Sequence, residues 1–284
     1  MRRVPVINIV LFIITCFFVL LAGALMAGAN PFEDFSSIIS GAPFAFSLML
    51  ILLSHELSHY VASIKHNVEA SLPYFIPVPP IPGMITIGTF GAFIKMRSPI
   101  VSRRALIDIG ASGPIVGFMF AVLASVYGLM NSEVMAVDQG RSFLVLGDSL
   151  LFSALSKAII GPVPEGMDVF LHPAGFAGWL GFFVTSLNLI PIGQLDGGHI
   201  LYAFTGSKHA LYSKVLIGLL VIMGFLFWPG WILWAVLLLV LGLRHPPVMH
   251  WEVPLDPNRR KVGLVSLAIF ILTFTPIPFT ITGI

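Results

Sequence analysis

Pro43–Ile64 reads PFAFSLMLILLSHELSHYVASI. From Ala42 to Leu53 there is no charged residue. As a helix the stretch covers about 33 Å, enough for a hydrocarbon core of about 30 Å. Its second half carries His55-Glu56-Leu57-Ser58-His59. Residues four apart on a helix project from one face, about one turn apart. Two imidazoles so placed can bind one zinc ion, with Glu56 beside them to take a proton from water. An ionisable group in hydrocarbon costs about 2.5–3.5 kcal/mol on insertion scales, so such groups within a span mark function. The stretch predicts a membrane span equipped for zinc-dependent hydrolysis.

Composition points the same way. Hydrophobic residues make up 57% of the chain and charged ones 10%, and the mean hydropathy is +0.97. A soluble domain carries about 25% charged residues, so a soluble globular protein is excluded. The 284 residues predict an all-α polytopic membrane protein with roughly six to seven transmembrane helices of about 20 residues. Candidate spans are Val6–Met26, Pro43–Ile64, Ala105–Met130, Ala174–Ile192, Leu211–Trp228, Trp231–Leu243 and Val262–Ile281. The sixth covers only about 20 Å, so spans five and six, joined at Trp228-Pro229-Gly230, are expected to form a hairpin that returns to one side. Cys16 is the only cysteine, which excludes an intramolecular disulfide and a thiolate zinc site. A net charge of +2 gives no reason to expect nucleic acid as a partner.

Charge distribution sets the orientation. With a cytoplasmic N-terminus, that side holds Arg2, Arg3, Lys65, Lys95, Arg97, Arg103, Arg104, Lys208, Lys214, Arg244, Arg259, Arg260 and Lys261. The other side keeps Arg141 and Lys157, with Glu33, Asp34, Glu133, Asp138, Asp148, Glu165 and Asp168. This bias puts His55 and His59 near the cytoplasmic end of span two, in what is expected to be the plasma membrane of a prokaryote. Arg2-Arg3, the apolar run and Ala22-Gly23-Ala24 also fit a cleavable signal. The run exceeds the usual signal core of about 7–15 residues, so a retained first span is expected.

A catalytic zinc site needs a third protein ligand. Few acidic or imidazole groups fall near the same depth, and Asp196 stands out among them, in Asn188-Leu189-Ile190-Pro191-Ile192-Gly193-Gln194-Leu195-Asp196-Gly197-Gly198. Span four brings it to the level of the histidines. Pro191 removes a backbone donor and Gly193, Gly197 and Gly198 loosen the helix, so the chain is expected to break there and turn the carboxylate inward. Non-helical backbone at membrane depth is tolerated where it is buried or lines a water-filled cavity, which a hydrolase requires.

Together, His55-Glu56-xx-His59 and Asn188-xx-Pro191-xxx-Leu195-Asp196-Gly197-Gly198 resemble the motifs of the site-2 protease family of intramembrane zinc metalloproteases. The likeness covers roughly residues 41–206, expected to be the catalytic core, with residues 1–40 a first span and loop and 207–284 C-terminal helices. The resemblance implies His55, His59 and Asp196 as ligands of one Zn2+ per chain and Glu56 as general acid/base. It implies Asn188 as the amide that holds the scissile carbonyl or its oxyanion. Ser112-Gly113-Pro114 looks like the family's small-Gly-Pro element, and Gly117 stands where many members carry Asn. The chain looks like the compact branch without a PDZ domain. Its implied partners are transmembrane protein substrates and the lipid bilayer; oligomeric state is left open. The competing class is a non-proteolytic metal-binding membrane protein or transporter, since polar groups on broken helices also make ion sites. No inverted repeat is visible, and Glu56 has no evident transport role.

Between spans two and three, Pro73, Pro77, Pro79, Pro80 and Pro82 enforce extended backbone, and Thr86–Ile94 reads as a strand. In the resembling family a re-entrant β-loop dips into the membrane here. Gly88, Thr89, Phe90, Gly91, Ala92 and Phe93 are accordingly candidates for substrate binding by β-addition. Elsewhere, Ser149–Ile160 reads as an amphipathic interfacial helix, and Gly113–Gly117 and Gly178–Gly181 as close helix contacts. Asp108 is expected to pair with Arg104 four residues earlier. His199 is expected to support the site or face solvent, and His172, His245 and His250 to be solvated in loops.

Overall fold

The computed structural model describes residues 5–81, 86–136 and 143–282. Arg2, Arg3, Pro82, Asp138 and Arg141 lie outside the described residues. The apolar runs form helices: α1 Val6–Met26, α2 Ala42–Lys65, α3 Arg103–Met130, α4 Leu150–Ile159, α5 Pro173–Leu189, α6 Asp196–Thr205, α7 His209–Leu226, α8 Gly230–Leu241 and α9 Pro257–Thr273. Short strands join them: β1 Tyr74–Pro77, β2 Thr89–Phe93, β3 Glu133–Ala136, β4 Phe143–Leu146, β5 Met167–Phe170 and β6 Phe279–Thr282. Among the described residues, four stretches are long and apolar enough to cross a bilayer: Val6–Met26, Phe35–Lys65, Arg103–Met130 and Asp196–Leu226. They leave large apolar side chains uncovered, such as Phe46, Leu123 and Phe225, at 71%, 63% and 78% exposure. Soluble monomers rarely show such patches; hydrocarbon covers them at no cost. The chain is a membrane protein.

Two compact units divide the chain. One comprises Met1–Ser98, Val116–Met135 and Val169–Gly181. Within it, α1 meets the capping residue of α2 without intervening side chains: a Cβ on Gly41 would lie 2.1 Å from the Leu20 carbonyl oxygen. The expected role of Gly178 and Gly181 is also seen, since added methyls would fall 2.3 Å from Ser125 Oγ and 2.7 Å from Ala121 Cβ. The proline-rich segment supplies β1, which pairs antiparallel with β2 through Tyr74↔Phe93, Phe75↔Ala92 and Pro77↔Thr89, with an irregularity before Pro77. α1 anchors this hairpin. Asn8 Nδ2 donates to the Leu72 and Pro73 carbonyls at 2.9 Å, and Phe12 meets Phe75 edge-on at 5.1 Å. Gly88 has φ +84° and backs onto Val19, 2.5 Å from where its Cβ would sit. The strand expected over 86–94 therefore begins only at Thr89.

The other unit comprises Pro99–Ile115, Ala136–Asp168 and Phe182–Ile284. Its core gathers Ile190, Ile192, Ile217, Leu220, Trp231, Ala235 and Leu238. Trp231 is fully buried and its Nε1 donates to the Pro276 carbonyl at 2.7 Å, so the indole's polar edge is satisfied. α4 forms where an amphipathic helix was expected, with Ser149 accepting from the Phe152 amide as its N-cap. The last span differs from expectation. Asp256 caps α9, Pro257 starts it, and it ends at Thr273, because Pro276 and Pro278 cannot continue a helix. The chain beyond becomes β6, paired antiparallel with β4. The expected Arg104–Asp108 pair does not form. Arg259 instead holds Asp108, with Nε 3.0 Å from both carboxylate oxygens, and bonds Asp256 at 2.6 Å, while Arg104 lies 3.8 Å from Asp256.

Candidate metal centre

α2 runs through His55 and His59 without a break, so the four-residue spacing puts both rings on one face. Their Nε2 atoms converge to 3.0 Å, with ring planes at 74° and centroids 4.7 Å apart. Both are buried, at 6% and 5% exposure, and Glu56 beside them at 7%. Ionisable groups buried on a membrane-length helix mark function. The neighbouring hydroxyls are spent on the helix itself: Ser58 donates to the Ser54 carbonyl at 2.7 Å and Ser63 to that of His59 at 2.8 Å. α3 packs against His55: a Cβ on Gly117 would stand 3.1 Å from His55 Nδ1, so bare backbone faces the ring.

The carboxylate is positioned differently. α5 ends at Leu189, and Ile192 N–H bonds the Ile190 carbonyl at 2.8 Å in a tight reversal. Gly193 then takes φ +59°, a left-handed conformation that suits glycine, and its N–H points to Ser213 Oγ at 3.3 Å. The helix restarts at Asp196, where a carboxylate meets the favourable N-terminal end of the dipole. The break occurs where expected, yet Gly197 and Gly198 do not loosen the chain. They sit inside α6 because a methyl on Gly197 would lie 2.0 Å from the Leu189 carbonyl oxygen, and one on Gly198 2.5 Å from that of Gly193.

The ligand atoms of His55, His59 and Asp196 all lie within 4.8 Å of one another, and no other group of three or more His, Cys, Asp or Glu does so among the described residues. Tetrahedral zinc with Zn–N distances of about 2.0–2.1 Å holds two nitrogens roughly 3.3 Å apart, so the donor set fits. Asn188 is half-buried in the last turn of α5. Gly88 to Phe93 belong to the β1–β2 hairpin, where Thr89 is buried and donates to the Ile76 carbonyl at 2.9 Å, and Phe90 is 80% exposed.

One arrangement near the Asp196 helix went unread in the sequence. His245, expected in a solvated loop, bonds His199 at 2.7 Å and stacks on Tyr202 at 4.2 Å between centroids. Its Nδ1 contacts the Pro246 carbonyl at 2.7 Å, and a carbonyl only accepts. In the neutral pair His245 Nε2 is therefore the acceptor and His199 Nδ1 the donor. Burial pulls the His245 pKa down, partly offset by the Pro246 bond. No local signal links residues 46 apart.

Peptidase family M50 matches residues 43–228, a span that contains all three converging side chains. This chain belongs to that family. It is 32% identical over 258 residues to the probable zinc metalloprotease EGY1, chloroplastic, of Arabidopsis thaliana, covering 87% of this chain and 44% of the relative. EGY2 of the same plant, also named a probable chloroplastic zinc metalloprotease, is 28% identical over 89% of this chain and 45% of its own. EGY3 of Oryza sativa subsp. indica is 25% identical over 90% and 45%. The chain thus spans somewhat under half the length of these curated relatives. No solved structure matches it.

Proposed function

We propose that this chain is a zinc-dependent intramembrane endopeptidase that hydrolyses peptide bonds within or near transmembrane segments of membrane-anchored proteins. The observation that carries the reading is the buried His55, Glu56 and His59 on a membrane-length helix, with Asp196 in reach of the same point. His55, His59 and Asp196 would hold one zinc ion. When bound, zinc lowers the pKa of a coordinated water toward about 7 and polarises a carbonyl. Glu56 accepts the proton of the attacking water and delivers it to the leaving amine. The Asn188 amide donates to the oxygen on which negative charge develops.

A transmembrane helix is a poor substrate because its carbonyls are engaged, so the segment must unwind before cleavage. In this reading the β1–β2 hairpin re-enters the membrane and captures the unwound segment along Gly88, Thr89, Phe90, Gly91, Ala92 and Phe93, satisfying backbone groups that hydrocarbon leaves unpaired. Six to seven spans, a catalytic core over residues 41–206 flanked by 1–40 and 207–284, and a site near the cytoplasmic face follow from the apolar runs and the Lys/Arg bias. A prokaryotic plasma membrane is the proposed location; the plant relatives are named as chloroplastic.

Glu56→Gln tests the reading. In proteoliposomes holding a membrane-anchored reporter, the variant should keep its zinc and cleave about 10²–10⁴-fold more slowly. Unchanged cleavage would sink the assignment of Glu56, and a transporter would retain flux.

A further inference from the structure

A cleft of about 290 Å³ opens beside the Asp196 turn. Pro191, Gly197 and Phe204 line it together with Gly263, Leu267 and Phe270 of α9. The lining is almost wholly apolar. Ser266, its one hydroxyl, donates to the Val262 carbonyl of its own helix at 3.0 Å and offers nothing to a ligand. Leu264 and Leu267 are 64% and 52% exposed, so the α9 wall reaches the surface.

The cleft's lining selects its occupant: a nearly unbroken apolar surface takes hydrocarbon and offers a polar ligand nothing to bond. A single acyl chain, one methylene wide, is the apolar object of the right calibre. The charge at its end is set by helix period. Arg260 lies one turn before Gly263 and Leu264 and shares their face of α9. Arg259 is consumed by Asp108 and Asp256, whereas exposed Arg260 has no side-chain hydrogen bond or ion pair among the described residues. An apolar slot with an unpaired arginine one turn away on the same helix face matches a lipid with an anionic headgroup.

We propose that this cleft is a binding site for one acyl chain of an anionic phospholipid, with its phosphate held by Arg260. The site is independent of the peptidase reading, and its test reads lipid rather than cleavage. Purified full-length protein would be delipidated, incubated with dioleoyl phosphatidylglycerol or dioleoyl phosphatidylcholine, and examined by native mass spectrometry. One phosphatidylglycerol per chain should be retained in preference to phosphatidylcholine. Arg260→Gln should lower that retention about fivefold, the equivalent of about 1 kcal/mol for one basic residue at a lipid headgroup. Lys261→Gln, which points about 100° around the helix, should lower it less. Leu267→Trp, on the exposed rim, should displace lipid of either headgroup. Equal retention of both lipids, or equal losses in Arg260→Gln and Lys261→Gln, would overturn the headgroup assignment. Full retention in Leu267→Trp would overturn the cleft itself.

Discussion

On α2 the two histidines stand four residues apart in an unbroken helix, whereas Asp196 takes its place only because the chain stops at Leu189, reverses through Gly193 and starts again. The first arrangement is local: keeping α2 helical is enough to put both imidazoles on one face. The second is built by close packing of backbone, in which each of Gly193, Gly197 and Gly198 occupies a position that a methyl group would contest. Half of the centre is therefore tolerant and half brittle, and substitutions that add a single carbon should distinguish them.

The largest effect is expected in the brittle half. Gly197→Ala puts a carbon 2.0 Å from the Leu189 carbonyl oxygen, against a backbone that has no side-chain freedom to yield. Overpacking of this kind costs about 1–3 kcal/mol, so the variant should melt several degrees lower and lose zinc. Wild-type melting and zinc content in Gly197→Ala would show that the turn is as tolerant as the helix.

Gly117→Ala probes the histidine half with the same added carbon. Here the contact is 3.1 Å and falls on the His55 ring, which can tilt. A small departure from a preferred rotamer costs about 0.5–1.5 kcal/mol, so zinc affinity should weaken by roughly two- to tenfold, while the melting temperature hardly moves. A loss of stability equal to that of Gly197→Ala would erase the contrast.

The division also separates what the sequence disclosed from what it hid. Val6–Met26 was legible to the residue because an apolar run with no charge and no proline inside it has one reading in a membrane. The His55–His59 pair was legible for the same reason, since helix period alone fixes it. Asp196 could be singled out by its type and depth, but its setting could not. Gly197 and Gly198 looked like helix breakers, because sequence shows the missing Cβ and not the carbonyl that occupies its space. Asp108 was assigned to the near arginine, whereas its partner is 151 residues away, and His245 to solvent, whereas it bonds His199. Each of these depends on which helices pack together, and periodicity carries no information about that.

The smallest effect lies outside the centre, where α9 begins. The Arg259 side-chain hydrogen bond, helped by its amide, holds the Asp256 carboxyl below the usual carboxylate range. A depressed folded pKa contributes stability above the unfolded pKa and loses it as pH falls through the folded one. Melting temperature should therefore decline modestly as pH drops below about 4, and Asp256→Asn should flatten that decline. An unchanged acid slope in Asp256→Asn would remove this cap from the account. Neither the histidine pair nor the Asp196 turn should respond to the substitution.

The central claim is that a regular helix and a broken one converge on a single zinc ion. Zinc measured per chain by atomic emission in wild type, Glu56→Gln and Asp196→Ala tests it most directly. The account predicts one zinc per chain in wild type and in Glu56→Gln, and a large loss in Asp196→Ala, because only the last removes a ligand. Full zinc retention in Asp196→Ala would contradict it and detach the broken helix from the metal.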